Sequence, residues 1–380
     1  MQMRILLVGE YNRSHRFLKQ GLKKLNHDVI VVGLNDGFKK VDVDLRIKHY
    51  FETGIAKKIR TLTFKVFKID LHSYSVKNQI IKHKNKLNGY DIVQFINESS
   101  FLCQPKTEKK IFDLISSWNH KTFLLSCGCD YPSVKYAFDK KFRYSILTPY
   151  FEHKGKSLNY EHILKYLQPE FIKLHEHIYK NINGVISSDL DYSIPLNQNS
   201  KHLGLIPHPI NVDEIKYSEL KLENKIILFH GINRVAYFKK GNFLFEDALK
   251  IINEKYSDKV EIITVENIPY HNYIKLFDKA HIVLDQVYAF DQGYNALEAM
   301  AKGKVVFTGA EKEWVDQYKV KEDTIVINAL PDAVKIANKL EWLILNPENI
   351  IEISRNARAF VEKEHHYIKC AKLYLEKWNC

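Results

Sequence analysis

With 380 residues, of which 45% are hydrophobic and 27% charged, the chain is too long for one ordinary core and too apolar for disorder, so two globular domains are expected. Five cysteines without paired CxxC spacing exclude a disulfide framework and a cysteine zinc site, and no apolar run approaches the roughly 18–20 residues that span a bilayer. The net charge of +12 favours anionic partners in general, and its distribution along the chain says which.

The first stretch, MQMRILLVGEYN, reads as a buried strand at 4–8 instead of a signal peptide, which points to the cytoplasm. A helix at 14–25 and a strand at 29–33 follow. VDVDLRI then places Asp42 and Asp44 in a D-x-D, the spacing of a divalent-ion site, but period-two alternation explains both acids as one solvent face of a strand, and no metal is predicted. From Lys39 to Lys86 there are thirteen Lys or Arg against four acids. Within that region Ile55, Ile59, Leu62, Val66 and Ile69 recur at helical spacing among Lys57, Lys58, Arg60, Lys65 and Lys68. Such a helix over 54–69 either lies on an anionic membrane surface, with Phe64 and Phe67 dipping into it, or packs its stripe on the core, and packing is the preferred expectation. Nucleic acid is not expected as a partner, because no recognition motif accompanies the charge and the 22 Tyr and 21 Phe are dispersed instead of interleaved with one basic stripe.

Strands at 91–96, 122–126 and 184–187 alternate with helices at 106–118 and 158–181, the pattern of a parallel, doubly wound sheet. Two prolines in LIPHPINV, 205–212, read as an interdomain linker. The logic then repeats, with strands at 225–230, 260–265 and 280–286 and helices at 243–254 and 270–279. The segment 289–308, AFDQGYNALEAMAKGKVVFT, is a glycine turn opening a helix, followed by a buried strand. A turn of that kind is an anion site, because the first N–H groups of a helix are unpaired and its dipole attracts negative charge. A strand at 324–327 and helices at 332–345, 347–363 and 365–378 complete the reading. The fold class is α/β, two Rossmann-like domains facing a cleft.

Certain of these residues carry a family resemblance. HGINRVAYFKKGNFLFEDAL at 230–249 and the later LEAMAKGKVV resemble the donor-binding half of a GT-B glycosyltransferase, most similar to family four. ILLVGEYN, YDIVQF, GVISSDLDY and PHPINVD are consistent with the same family. The resemblance implies an acceptor-binding domain at 1–206, a donor-binding domain at 207–364, and a final helix, 365–380, crossing back to the first domain. It implies a nucleotide-diphosphate-sugar donor, a glycan or lipid-linked acceptor in envelope, capsule or exopolysaccharide assembly, and retention without an enzyme nucleophile, since the donor phosphate can take the acceptor proton. No cofactor is implied. Arg234 and Lys240, separated by five residues, match the basic pair that meets the diphosphate, where fixed cations stabilise the leaving charge. Glu298 matches the second acid of the E-x7-E motif, which takes the ribose diol, and Gly231 lies in the phosphate loop.

Where the first acid of that motif is expected stands Phe290, with Asp291 one place later. Either Asp291 does the same work after a one-residue shift, or backbone N–H groups of Gln292, Gly293, Tyr294 and Asn295 hold the sugar. In the first half, Gly9 would let a loop approach the donor phosphate, and Asp130 would face the acceptor hydroxyl or the sugar. His15, His153, His208 and His230 are further acids by type, with structural roles preferred. Two alternatives stay open beside the transferase: a sugar-nucleotide epimerase on the same fold, and a non-catalytic nucleotide-sugar-binding protein.

Overall fold

The computed structural model describes residues 2–34, 41, 43–222 and 224–379. Two parallel sheets organise it. The first is built from β1 (Arg4–Val8), β2 (Asp28–Gly33), β3 (Leu45–Arg46), β4 (Ile92–Phe95), β5 (Lys121–Ser126), β6 (Gly184–Ser187) and β7 (His202–Leu205), in the order β3-β2-β1-β4-β5-β6-β7. The second contains β8 (Ile226–Ile232), β9 (Val260–Glu266), β10 (Ile282–Leu284), β11 (Val305–Thr308) and β12 (Ile327–Asn328), in the order β12-β11-β10-β8-β9. Parallel pairing requires crossovers, and helices supply them on both faces, so the strands read as unbroken apolar runs such as RILLV and VVFT. Leu6, Val8, Val93 and Leu124 point into one core of the first sheet and Ile5, Leu7, Ile92 and Phe123 into the other, as strand alternation demands.

Helix α1 (Ser14–Lys24) buries Phe17, Leu18, Gly21 and Leu22. The last helix, Tyr367–Asn379, returns to lie against it, so closely that a Cβ on Gly21 would sit 2.3 Å from the Tyr367 carbonyl oxygen. Its buried face is Tyr367, Cys370, Ala371, Tyr374 and Trp378, with Leu375 partly buried against the same core. Chain 206–212 is buried against this return, through Ile210 N–H to His365 O at 2.7 Å and Tyr367 N–H to Ile210 O at 3.1 Å.

Three sequence expectations are corrected. The helix expected over 158–181 is broken at Gln168, and Pro169 starts a fresh helix, Pro169–Asn181, because a proline ring cannot follow a helical turn but fits at the first helical position. The strand expected at 324–327 shrinks to β12, since Asp323 folds back to accept from Asn328 N–H at 2.9 Å. Helix α2 (Gly54–Phe67) does not pack its apolar stripe: it buries no residue, and Ile55, Leu62 and Val66 are 77%, 62% and 60% exposed. Its least exposed positions are Ala56, Arg60 and Thr63, and Arg60 anchors it by pairing with Asp70 at 2.5 Å and with Glu52. Among the described residues no helix is long and apolar enough to cross a membrane.

Candidate functional site

The strand order of the second sheet reverses between β8 and β10, and in an open α/β sheet the crevice at such a point, beyond the strand carboxyl ends, is where ligands bind. The loop after β8 carries Arg234 and Lys240. The loop after β10 begins with Asp285 and runs to Gly293, which precedes the eight-residue helix Tyr294–Ala301. No side chain caps that helix, so its first-turn N–H groups and dipole face the crevice.

A continuous polar chain lines this point. Lys240 Nζ donates to Asp285 Oδ1 at 2.7 Å, and Asn295 Nδ2 donates to the same oxygen at 2.9 Å. Tyr273 hydroxyl donates to Asn295 Oδ1 at 3.3 Å, and Tyr270, one turn away on the same helix face, donates to Glu298 Oε1 at 3.5 Å. Burial and the Glu298 charge raise the Tyr270 pKa, which keeps its hydroxyl a neutral donor. Glu298 therefore stands in a half-shielded cleft with its carboxylate fixed from one side, and its side chain is 12% exposed.

The other predicted residues distribute differently. Arg234 stands half exposed in the turn after β8, where it pairs with Glu266, the last residue of β9, at 2.5 Å and stacks over Tyr237 at 4.8 Å. Its hydrogen bond to Glu266 raises the guanidinium pKa further. Gly231 falls inside β8, not in a phosphate loop, and a Cβ there would lie 2.8 Å from the Tyr273 ring. Gly9 has φ +88°, and its Cβ would meet Ile96 Cγ2 at 2.2 Å, so glycine is demanded by packing as well as by the turn. Asp130 caps the helix Tyr131–Phe138, accepting from Ser133 N–H at 3.0 Å and from the Ser126 hydroxyl, which makes it a structural acid in this arrangement.

Phe290 and Asp291 fasten the two sheets' loops together. Asp191, in the helix after β6, accepts from Phe290 N–H at 3.0 Å, while Asp291 accepts from Leu190 N–H at 3.2 Å, so each domain's carboxylate takes a backbone donor of the other. Burial, and then the neighbouring Asp189, raise the Asp291 pKa, and the same two causes raise Asp191. Asp291 Oδ1 also takes Gln292 N–H at 2.7 Å, which withdraws Gln292 from the proposed sugar cradle. Gln292 Nε2 donates to Gly309 O at 2.7 Å. Gly293 and the backbone of Tyr294 and Asn295 remain at the helix start, with the Tyr294 ring packed 4.5 Å from His208. The Phe290 ring fills an aromatic nest with Phe142 at 5.1 Å and Tyr144 at 5.5 Å, capped by Arg143 at 4.9 Å.

Burial lowers His15 and His208 to about 4, and both are held structurally: His15 Nδ1 at Gly9 O and His208 Nε2 at Asp189. His230 pairs with Asn242 at 2.9 Å, while His153 is exposed. Asp42 of the D-x-D lies outside the described residues, and Asp44 accepts from Val31 N–H at 2.7 Å and pairs with Lys19. Among the described residues one set could converge on a cation, His49, Glu52 and His72, with ligand atoms within 4.8 Å of one another. Arg60 already occupies Glu52 there. The described cysteines are unpaired, and burial raises the thiols of Cys103, Cys127, Cys129 and Cys370, so they are poor nucleophiles.

Asp285, Tyr270, Tyr273 and Arg13 were missed by sequence reasoning. Asp285 carried a usable signal, an acid directly after the apolar run AHIVL at a strand end. Tyr270 and Tyr273 carried a weaker one, aromatic hydroxyls three apart on a helix. Arg13 carried none.

Residues 239–376 match the family model described as glycosyl transferase-like. No curated protein matches the chain at significant similarity. Among solved structures, sucrose-phosphate synthase from Thermosynechococcus elongatus is 13% identical with a TM-score of 0.62, covering 99% of this chain and 98% of that one. HepE from Anabaena in complex with UDP-glucose is 12% identical with a TM-score of 0.57, covering all of both chains. A glycosyltransferase from Rickettsia africae is 15% identical with a TM-score of 0.54, covering 99% and 98%. The chain thus has the GT-B fold throughout its length, and the Lys240–Asp285–Asn295 and Glu298 positions fall in its glycosyl transferase-like segment.

Proposed function

We propose that the protein is a glycosyltransferase that moves a sugar from a nucleotide-diphosphate donor to a glycan or lipid-linked acceptor. The observation that carries this reading is the polar chain Lys240–Asp285–Asn295 beside Glu298, set at the switch point over an uncapped helix N-terminus. The donor ribose would donate both hydroxyls to Glu298, the diphosphate would lie over Gly293 and Tyr294 N–H, and Lys240 would turn from Asp285 to the β-phosphate. Charge growing on that phosphate as the glycosidic bond breaks then meets a fixed cation and aligned N–H groups, which supply the stabilisation a divalent ion gives elsewhere. Arg234, on its exposed turn, would join only by leaving Glu266. With Asp130 and Asp291 committed to structure, the phosphate oxygen is the base we assign for the acceptor proton, consistent with retention.

The first test is thermal shift with UDP-, GDP- and dTDP-sugars, followed by donor hydrolysis without acceptor. One nucleotide class is expected to stabilise the protein, and Glu298→Ala to weaken that binding by roughly 100-fold or more, since a hydrogen bond to a charged group contributes about 1.5–3 kcal/mol and two are lost. A wild-type protein indifferent to every nucleotide would remove the donor reading.

The acceptor side is proposed to meet an anionic membrane surface through 54–69, as a cytoplasmic peripheral enzyme of envelope, capsule or exopolysaccharide assembly. Helix α2 supports this because its apolar residues face away from the protein while Lys57, Lys58, Lys65 and Lys68 stand exposed around them. A recess of about 710 Å³ on α2 itself is lined by Ile55 and Leu62 together with Lys57, Lys58 and Lys65, basic and apolar at once. Co-sedimentation with phosphatidylglycerol vesicles is expected, with little on phosphatidylcholine. Replacing Lys57, Lys58 and Lys65 by Gln should cost about 1 kcal/mol per residue, on the order of 100-fold in partitioning. Unchanged partitioning would remove the helix from this role.

A further inference from the structure

The loop from Gly9 to Arg13 carries two consecutive non-glycine residues in the left-handed region, Asn12 at φ 52° and Arg13 at φ 74°. That conformation costs free energy and persists only where the surroundings impose it. Here they do: the Tyr11 hydroxyl donates to Ser99 O at 2.9 Å, Glu10 accepts from Arg16 N–H at 2.8 Å, and Ser14 N–H donates to Tyr11 O at 2.9 Å. The effect is to send the Arg13 side chain out of the first domain and over the crevice of the second. Its Nη2 donates to the Tyr270 hydroxyl at 3.2 Å, and its Nη1 lies 3.7 Å from Glu298 Oε2. The Arg13 side chain is 18% exposed.

We propose that Arg13 is the first domain's ligand for the donor diphosphate, and that it holds Glu298 in the nucleotide's place until the donor arrives. The inference rests on the donor reading given above. Glu298 lies in a half-shielded cleft, where an uncompensated carboxylate is costly. The guanidinium compensates it at 3.7 Å, a contact that a ribose diol hydrogen-bonding to the carboxylate oxygens would replace. The ribose brings a diphosphate with it, and a planar guanidinium displaced from Glu298 by the diol matches phosphate oxygens in a fork geometry that Lys cannot reproduce. Donor entry then exchanges partners: the hydroxyls take Glu298 and the diphosphate takes Arg13. Because the cation belongs to the first domain and the ribose acid to the second, tight diphosphate binding requires the two domains to be apposed. An open cleft would bind the nucleoside but hold the diphosphate weakly.

Isothermal titration of wild type, Arg13→Ala, Arg13→Lys and Glu298→Ala with UDP, GDP and dTDP, and with the matching nucleosides by competition, separates the possibilities. Arg13→Ala is expected to lose about 10- to 100-fold in affinity for the diphosphate that the wild type accepts, with nucleoside affinity unchanged or raised, and to flatten the salt dependence of diphosphate binding. Arg13→Lys should recover only part of the loss. Equal losses for nucleoside and diphosphate, or no loss in either, would overturn the role of Arg13 while leaving Glu298→Ala to report on the donor site. A wild type that binds no diphosphate would instead overturn the donor reading itself. Unfolding midpoints of the Arg13 variants within those of wild type establish that the comparison is between folded proteins.

Discussion

Phe290→Glu, which would install an acid where the E-x7-E pattern has one, is expected to loosen the two domains and not to improve donor binding. The Phe290 side chain is 2% exposed and sits among Phe142, Tyr144 and the Arg143 guanidinium, all from the other domain's loop. Removing a buried phenyl ring costs roughly 3–5 kcal/mol, and a carboxylate in its place must be desolvated or protonated. Arg143 cannot rescue it cheaply, because that guanidinium already holds Glu311 and Glu313 at 2.7 Å each. Its backbone N–H, which Asp191 accepts, would be retained, so the loss is of packing and charge alone. Urea unfolding should show a reduced midpoint and an earlier separation of domains, while Phe290→Leu, apolar and smaller, should lose much less. A Phe290→Glu protein as stable as wild type that also binds sugar nucleotide more tightly would show that the position faces the sugar after all.

The second large effect is expected at Trp378, near the far end of the chain. Its ring is fully buried beside Tyr374 at 5.4 Å and Phe123 at 6.4 Å, and its indole N–H donates to Gln94 Oε1 at 3.2 Å. Gln94 lies in the central strand β4 and also meets His15 at 3.3 Å. Trp378→Ala would open a cavity and orphan a buried amide oxygen, about 3–5 kcal/mol for the first and about 1–3 kcal/mol for the second. Set against the roughly 5–15 kcal/mol that hold an ordinary domain together, this is enough to unfold the first domain near ambient temperature. Trp378→Phe, which keeps most of the volume and loses the N–H, isolates the hydrogen bond. Circular dichroism and tryptophan-independent hydrogen exchange of β1, β4 and β5 are the measurements, and wild-type protection in Trp378→Ala would count against the account.

Much of the architecture was legible because buried parallel strands have a plain signature. RILLV, IVQF and VVFT are short apolar runs between longer amphipathic ones, and nothing but a doubly wound sheet accommodates many of them in series. A helix end was legible where an N-cap acid marks it, as at Asp332, whereas the break at Gln168 was read through despite Pro169, because apolar periodicity continues on both sides of it. The edge strand β3 falls within VDVDLRI, where period-two alternation marked a strand, whereas β7 escaped because HLGL is too short to stand out.

The candidate site divides along the same physical line. Glu298 and Lys240 are placed by local structure, a helix and a turn after a strand, and local structure is what periodicity encodes. The surroundings of Asp291 and Phe290 were not foreseen because their partners are about 100 and about 150 residues away in sequence, at Leu190 and at Phe142 to Tyr144, and no pattern within a short window contains those contacts. Helix α2 was misjudged for a related reason: its apolar stripe is real, but which way it faces follows from Arg60 pairing with Asp70 and Glu52, and ion pairs leave no periodic trace.

The return of the helix Tyr367–Asn379 onto α1 also sets the order in which the molecule can be finished. Leu18, Leu22, Ile92 and Phe123 share one core with Cys370, Ala371, Tyr374 and Trp378, so a face of the sheet that leaves the ribosome early waits, uncovered, for side chains that leave it last. The second domain has its own core and can close in the interval. Thus the half translated first is completed last, and the chain passes through a stage in which a folded donor domain is tethered to a sheet with one bare side.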